Sequence, residues 1–198
     1  MKRLFVSALL ATALALPAFA ALKPGEKAPD FSAKASLAGK EFSFSLKDAL
    51  KKGPVVVYFY PSAYTQGCNI EAHTFAENKD KFDAVGATII GVSADSIARL
   101  NDFSADPAYC AGKFPVASDA DGAIAKSYNL NVREGKPGMK DSRGADIDHA
   151  FTERTTFVIT SDNSIAATLS SADDKVTPVE HVDKSLAIVS ELKAKMKK

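Results

Sequence analysis

Two periodicities alternate along this chain. Val55 to Tyr60 is an unbroken apolar run of β-branched and aromatic residues, the mark of a strand covered on both faces. Thr88 to Ser93 repeats that pattern, and Phe114 to Ser118 gives a shorter third strand. Glu41 to Leu46 alternates apolar and polar residues, as a short strand or hairpin arm does. Between these runs the spacing changes to that of helices. A short helix over 47–51 precedes the first strand. A longer one over 66–82 carries Ile70, Phe75 and Phe82 toward the sheet, and Ser96 caps a third that bears Ile97, Leu100 and Phe103. Asp121-Gly122 makes a turn before a short helix over 123–128. Thr155–Thr160 and Ile165–Leu169 flank Ser161-Asp-Asn-Ser164, a hairpin signal. Val179, Val182, Leu186, Val189, Leu192 and Met196 form one apolar stripe on a final helix. Residues 24–31 are broken by Pro and Gly into extended chain, and 133–151 form a polar connection without a period.

Strands alternating with helices, then an antiparallel hairpin and a closing helix, predict an α/β fold: a central mixed β-sheet flanked by helices in a single domain. The first twenty residues stand apart. Lys2 and Arg3 precede an apolar stretch from Leu4 to Leu16, and Ala18-Phe19-Ala20 is a small-x-small cleavage motif. This is the pattern of a secretory signal peptide over residues 1–20, too short for a permanent membrane span, with a mature domain over 21–198. The alternative is an N-terminal membrane anchor. With 25 Lys and Arg against 24 Asp and Glu, the charge balance points to no nucleic-acid or membrane-surface partner.

Two cysteines, Cys68 and Cys110, remain in a chain read as exported. An oxidising compartment suggests one structural disulfide, yet a domain of this length needs no staple, so a redox-active pair is the competing reading. Cys68 is the more informative thiol. The apolar strand stops at Pro61, and a short polar turn delivers Cys68 to the start of the 66–82 helix. There the unpaired N–H groups and positive dipole end favour thiolate, the nucleophilic form.

Pro61-x-x-x-Thr65-x-x-Cys68, directly after such a strand, resembles the active-site signature of peroxiredoxins, thiol peroxidases with a thioredoxin-like fold. The likeness runs from about Ala21 to the final helix. It implies that Cys68 attacks a hydroperoxide, that Thr65 hydrogen-bonds thiolate and peroxide, and that Pro61 shields the sulfur. It also implies a cation from a later strand, a place that Arg154 fills at the mouth of the 155–160 strand. A guanidinium stays charged and offers forked donors. Glu71 stands on the first turn of the helix, either as a simple dipole-favoured acid or, as in the similar PrxQ-type subgroup (bacterioferritin comigratory protein-like), as a support for the arginine. Gln66 stands where those proteins usually have proline. His73 stands where one subgroup has its resolving cysteine, so that route is absent. Other PrxQ-type proteins resolve from the next helix region, which makes Cys110 the candidate resolving thiol. The helix start around Cys68 would then unwind for the two to meet.

His73, His149 and His181 share no metal-ligand spacing, and His149 reads as a surface-loop residue. Asp119-x-Asp121-Gly122 is only a fragment of a calcium loop. The resemblance therefore implies a periplasmic peroxiredoxin without cofactor. Its partners would be a hydroperoxide substrate and a thioredoxin-like or other dithiol reductant, since cytosolic thioredoxin is sealed off; the protein would be a monomer or homodimer. Three rivals share the fold: an exported thioredoxin-like thiol–disulfide oxidoreductase, for which Cys-x-x-Cys is missing; a copper-binding protein; and a non-catalytic domain with a Cys68–Cys110 bridge.

Overall fold

The computed structural model describes residues 20–195. The leader expected over residues 1–20 lies outside them apart from Ala20, as does Met196 of the last apolar stripe. The strands are β1 (Ser32–Leu37), β2 (Lys40–Ser45), β3 (Val55–Phe59), β4 (Thr88–Ser93), β5 (Val116–Ser118), β6 (Val132–Arg133), β7 (Phe151–Thr152), β8 (Thr155–Ile159) and β9 (Ile165–Ser170). The helices are α1 (Leu46–Leu50), α2 (Gln66–Ala84), α3 (Ile97–Ala105), α4 (Ala123–Ser127) and α5 (Pro178–Lys195).

Seven strands form one mixed sheet in the order β2-β1-β5-β4-β3-β8-β9. The β3, β4 and β5 strands run parallel, and β8 joins β3 antiparallel with Phe59 opposite Thr155. The two-residue alternation of a strand splits β3 between two cores. Val56, Tyr58 and Tyr60 pack under α2, α3 and α5 with Phe75, Phe82, Leu100, Phe103, Val182 and Val189. Val55, Val57 and Phe59 pack on the other face with Leu46, Leu50, Tyr128 and Phe157. Both faces of the central strand are thus covered, which is why its sequence is apolar throughout. None of the described helices is long and apolar enough to cross a membrane.

Three local features depart from the sequence reading. Ser32–Leu37 was not foreseen as a strand; its small residues alternate too weakly to signal one, and it forms by pairing with β2 and the edge of β5. The β6 and β7 strands pair Val132 with Thr152 and Arg133 with Phe151, pinning both ends of the irregular 133–151 connection. Ile70, expected on the sheet-facing side of α2, is 42% exposed. The buried stripe is instead Cys68, Glu71, Ala72, Phe75, Ala76 and Phe82, whose spacing of three and four residues sets one helix face. An acid occupies that apolar stripe.

Candidate active site

At the end of β3 the chain meets Pro61, turns through Ser62–Thr65 and enters α2. Thr65 is the extended N-cap residue, but its side chain makes no cap bond. Its hydroxyl donates instead to the Ser62 carbonyl at 2.8 Å. Thr65 also lies close enough to Cys68 to lower the thiol's pKa, and its single proton cannot serve both partners at once. The first N–H groups of α2 have no intrahelical partner, so the helix presents its positive end around Cys68.

Cys68 is buried, and Arg154 reaches it from the β8 side. The register that sets Thr155 against Phe59 brings Arg154, one residue earlier, to the end of β3 where the loop begins. Its Nη2 lies 3.2 Å from Cys68 Sγ. Its Nη1 makes an ion pair with Glu71 Oε2, and the arginine side chain is only 11% exposed. Glu71 is fully buried, and its other oxygen, Oε1, has no hydrogen-bond partner. Of the two readings of Glu71, the geometry is that of an anchor for the guanidinium. Gly67 makes room for this arrangement: a Cβ there would stand 3.1 Å from Arg154 Nη2 and 3.6 Å from Pro178 Cγ. Gly67 was absent from the sequence-derived site, since a helical glycine without positive φ gives no local signal.

Burial and charge oppose each other here. Burial pushes the Cys68 thiol above its ordinary pKa of 9.0; Arg154, Thr65 and the Ser62 backbone pull it down, and the Glu71 charge adds to the rise. The net direction is upward, because burial outweighs the groups that favour the thiolate. Burial also raises the Glu71 carboxyl to about 7, with Arg154 opposing. Arg154 itself stays firmly protonated, because Glu71 and Cys68 outweigh its own desolvation. Behind it His181 is buried and, desolvated and facing Arg154, pushed down to about 4. It bonds Thr156 and Ser171 at 2.9 Å each and adds no second charge near neutral pH. One guanidinium therefore serves two buried acids.

Pro61 and Thr65 line the mouth of a cleft of about 450 Å³ whose other walls include Arg133, Lys136, Met139 and Phe151. Cys110 sits in the turn after α3, fully buried, and shares an apolar cluster with Cys68, Tyr58, Tyr60 and Phe103. Burial, with the charge of Asp106, holds its thiol well above the ordinary range. Both cysteines are free thiols in this arrangement. His73 lies on the exposed side of α2, facing Glu77 at 3.3 Å.

His149 is not a surface-loop residue. Its Nδ1 faces the Ala150 carbonyl at 2.8 Å and its Nε2 faces Asp95 Oδ1 at 2.8 Å. Both partners are acceptors, an arrangement that favours the doubly protonated ring. The buried Asp95 also accepts from the Ala63 N–H at 2.8 Å and the Ser93 hydroxyl at 2.7 Å, and it pairs with Arg99 Nε at 2.8 Å. Asp95 and Arg99 were not singled out from sequence. Their role depends on a loop distant in the chain folding over them.

Comparison with known proteins agrees with this geometry. The family model described as AhpC/TSA family matches residues 24–168. Peroxiredoxin Bcp of Xanthomonas campestris is 32% identical over 143 residues, covering 72% of this chain and 78% of that protein. The chloroplastic peroxiredoxin Q of Sedum lineare is 28% identical, covering 88% and 82%. Among solved structures, peroxidoxin BcpB of Mycobacterium tuberculosis superposes with a TM-score of 0.70 at 28% identity, covering 86% of this chain and 98% of that one.

Two predictions come from the charges. Arg154→Met should move the Cys68 titration up by roughly one to two pH units, the worth of one charge-assisted hydrogen bond. Glu71→Gln should move it down, because it deletes the competing charge while keeping a carbonyl for the guanidinium. Thiolate ultraviolet absorbance against pH reads both, and shifts of the same sign would exclude this charge arrangement. The second concerns His149. Asp95 outweighs the desolvation of the ring and raises its pKa above the ordinary 6.5. The pair thus stabilises fully below pH 6.5, and that contribution fades as pH climbs through the raised value. His149→Asn should flatten this alkaline-side loss in urea-unfolding midpoints, whereas an unchanged slope would mean that the imidazolium does not form.

Proposed function

The chain belongs to the AhpC/TSA family of peroxiredoxins and is a thiol peroxidase, and from that premise we propose that Cys68 is its peroxidatic nucleophile and Cys110 its resolving thiol. The observation that carries this reading is the guanidinium of Arg154, one arm 3.2 Å from Cys68 Sγ and the other held by Glu71.

A thiolate formed at Cys68 is bonded to that cation as soon as the proton leaves. It attacks one peroxide oxygen in line with the O–O bond. An S–O bond forms, the O–O bond breaks, and the departing alkoxide or hydroxide takes a proton to leave as alcohol or water. Arg154 faces the charge that builds on the oxygens during this step, where fixed donors lower a barrier most. Thr65, with its proton on the Ser62 carbonyl, offers lone pairs to the peroxide hydroxyl. Pro61 forms the wall beside it. The sulfenic acid then condenses with the Cys110 thiol, releasing water, and a dithiol reductant reopens the disulfide.

Hydrogen peroxide and organic hydroperoxides are the proposed substrates. The partly apolar cleft bordered by Pro61, Met139 and Phe151 supports an organic body on the peroxide. The bacterioferritin comigratory protein of Xanthomonas campestris, 28% identical with a TM-score of 0.62, has alkyl peroxide reduction activity. A periplasmic setting and a periplasmic dithiol donor are supported by Lys2-Arg3, the apolar run and the Ala18-Phe19-Ala20 motif.

Cys68→Ser should abolish peroxidase turnover, since a hydroxyl is a far poorer nucleophile at neutral pH. Activity within tenfold of wild type would remove the assignment. Cys110→Ser should leave the first attack nearly unchanged in single turnover but lower dithiol-supported turnover and increase Cys68 over-oxidation. Peptide mapping of the oxidised wild type should find a Cys68–Cys110 bridge within one chain. A free Cys110 after stoichiometric peroxide, with turnover intact in the serine variant, would instead indicate a one-cysteine cycle.

A further inference from the structure

Behind Arg154 lies a buried imidazole whose proton can be placed from its partners. The Ser171 hydroxyl donates its one proton to the Val176 carbonyl at 2.7 Å, so toward His181 Nε2, 2.9 Å away, it can only accept. His181 therefore carries a proton on Nε2. Burial and the facing Arg154 charge push the ring down to about 4, with Lys184 acting the same way and Glu180 and Asp174 opposing, so it is uncharged near neutral pH. Nδ1 is then a bare acceptor and takes the Thr156 hydroxyl proton at 2.9 Å. His181 and Thr156 are both fully buried.

These bonds close a ring through the residue that carries the guanidinium. The Ser171 N–H donates to the Arg154 carbonyl at 3.1 Å. From Arg154 the chain runs two residues along to Thr156 in β8, Thr156 bonds His181, and His181 returns to Ser171. The turn of α5 that bears His181 is itself fixed by a reciprocal cap. The Thr177 N–H donates to Glu180 Oε2 at 2.9 Å, and the Glu180 N–H donates to Thr177 Oγ1 at 3.3 Å. Pro178 of the same turn stands over Gly67, the residue before Cys68, and so do the ends of the Arg154 side chain. An apolar side chain in place of His181 would leave the Thr156 hydroxyl buried without its acceptor, and a cationic one would repel Arg154.

We propose that His181 is a positioning residue for peroxide reduction: donating from Nε2 and accepting at Nδ1, it holds the Arg154 segment so that the guanidinium stays on Cys68. The proposal rests on the reading of Cys68 as peroxidatic nucleophile, and it gives His181 no contact with the peroxide. The side chain at this place must offer one donor and one acceptor, and it must add no charge. Glutamine meets both conditions, whereas leucine meets only the second. A guanidinium that drifts from the sulfur stabilises the resting thiolate less, so Cys68 titrates higher. It also faces the charge on the peroxide oxygens less well, so the first step slows.

The test is stopped-flow oxidation of the reduced protein by hydrogen peroxide, with the Cys68 titration followed by thiolate absorbance. Thr156→Val keeps the branched shape of the strand residue and removes one donor. It should slow the second-order step roughly two- to tenfold, the worth of one hydrogen bond, and move the titration upward. His181→Leu should slow it roughly four- to a hundredfold, as the loss of two such bonds would, and His181→Gln should recover most of that loss. In an Arg154→Met background, His181→Leu should change neither readout further. Additive losses there would overturn the proposal, because His181 would not be acting through Arg154. Leucine and valine variants that unfold at lower urea but react and titrate as wild type would also overturn it, leaving His181 a core residue only. So would a glutamine variant as slow as the leucine one. Should the leucine variant fail to fold, a wild-type rate in Thr156→Val overturns the proposal by itself. If Cys68→Ser keeps peroxidase turnover, the nucleophile reading fails and the role of His181 with it. If Cys68→Ser is inactive while the Thr156 and His181 variants match wild type, only the role of His181 fails.

Discussion

The site depends on one buried guanidinium. Arg154 faces two acids inside the fold, Cys68 and Glu71, and near neutral pH the adjacent His181 adds no second charge. Much of the local architecture delivers that group. The β3–β8 register sets its position along the strand, Gly67 leaves the space its Nη2 occupies, and Glu71 holds the other arm inside an otherwise apolar helix face. Losing Glu71 would leave a buried charge without its partner, which costs far more than a surface ion pair is worth.

This arrangement reconciles protection with reactivity. A fully exposed thiolate would react with many oxidants, whereas a buried thiol is inert until its charge is stabilised. Burial raises the Cys68 pKa, and the cation 3.2 Å away supplies a fixed counter-charge in a low-dielectric setting where such a contact is strong. Glu71 moderates it: burial raises its carboxyl to about 7 while Arg154 pulls the other way, so the two acids compete for one cation. The proposed catalytic pair is therefore Cys68 and Arg154, with Glu71 positioning the guanidinium and Thr65 and Pro61 beside the sulfur.

Much of this was legible in the chain. The strands β3, β4, β8 and β9 and the helices α2, α3 and α5 declared themselves by periodicity, and Ser96 caps α3 as expected, accepting from the Arg99 N–H at 3.3 Å. Pro61, Thr65, Cys68 and Arg154 came from a motif and its strand context. Ser32–Leu37 was missed because small residues carry little alternation. Ile70 was misplaced because α2 was read from its large apolar residues, when the buried stripe includes a cysteine, an acid and alanines. Asp95, Arg99 and the buried setting of His149 were invisible for another reason. Asp95 and Arg99 pair across one helical turn, but their contacts with Ala63, Asp141 and His149 come from segments dozens of residues away that only the fold brings together.

The most direct test of the central claim is single-turnover oxidation of the fully reduced protein by one equivalent of hydrogen peroxide, followed by mass spectrometry of both cysteine peptides. The account predicts that the oxygen arrives first at Cys68, as sulfenic acid or its disulfide, at a second-order rate far above that of free cysteine at the same pH. Oxidation at the pace of a free thiol, or arriving first at Cys110, would contradict it.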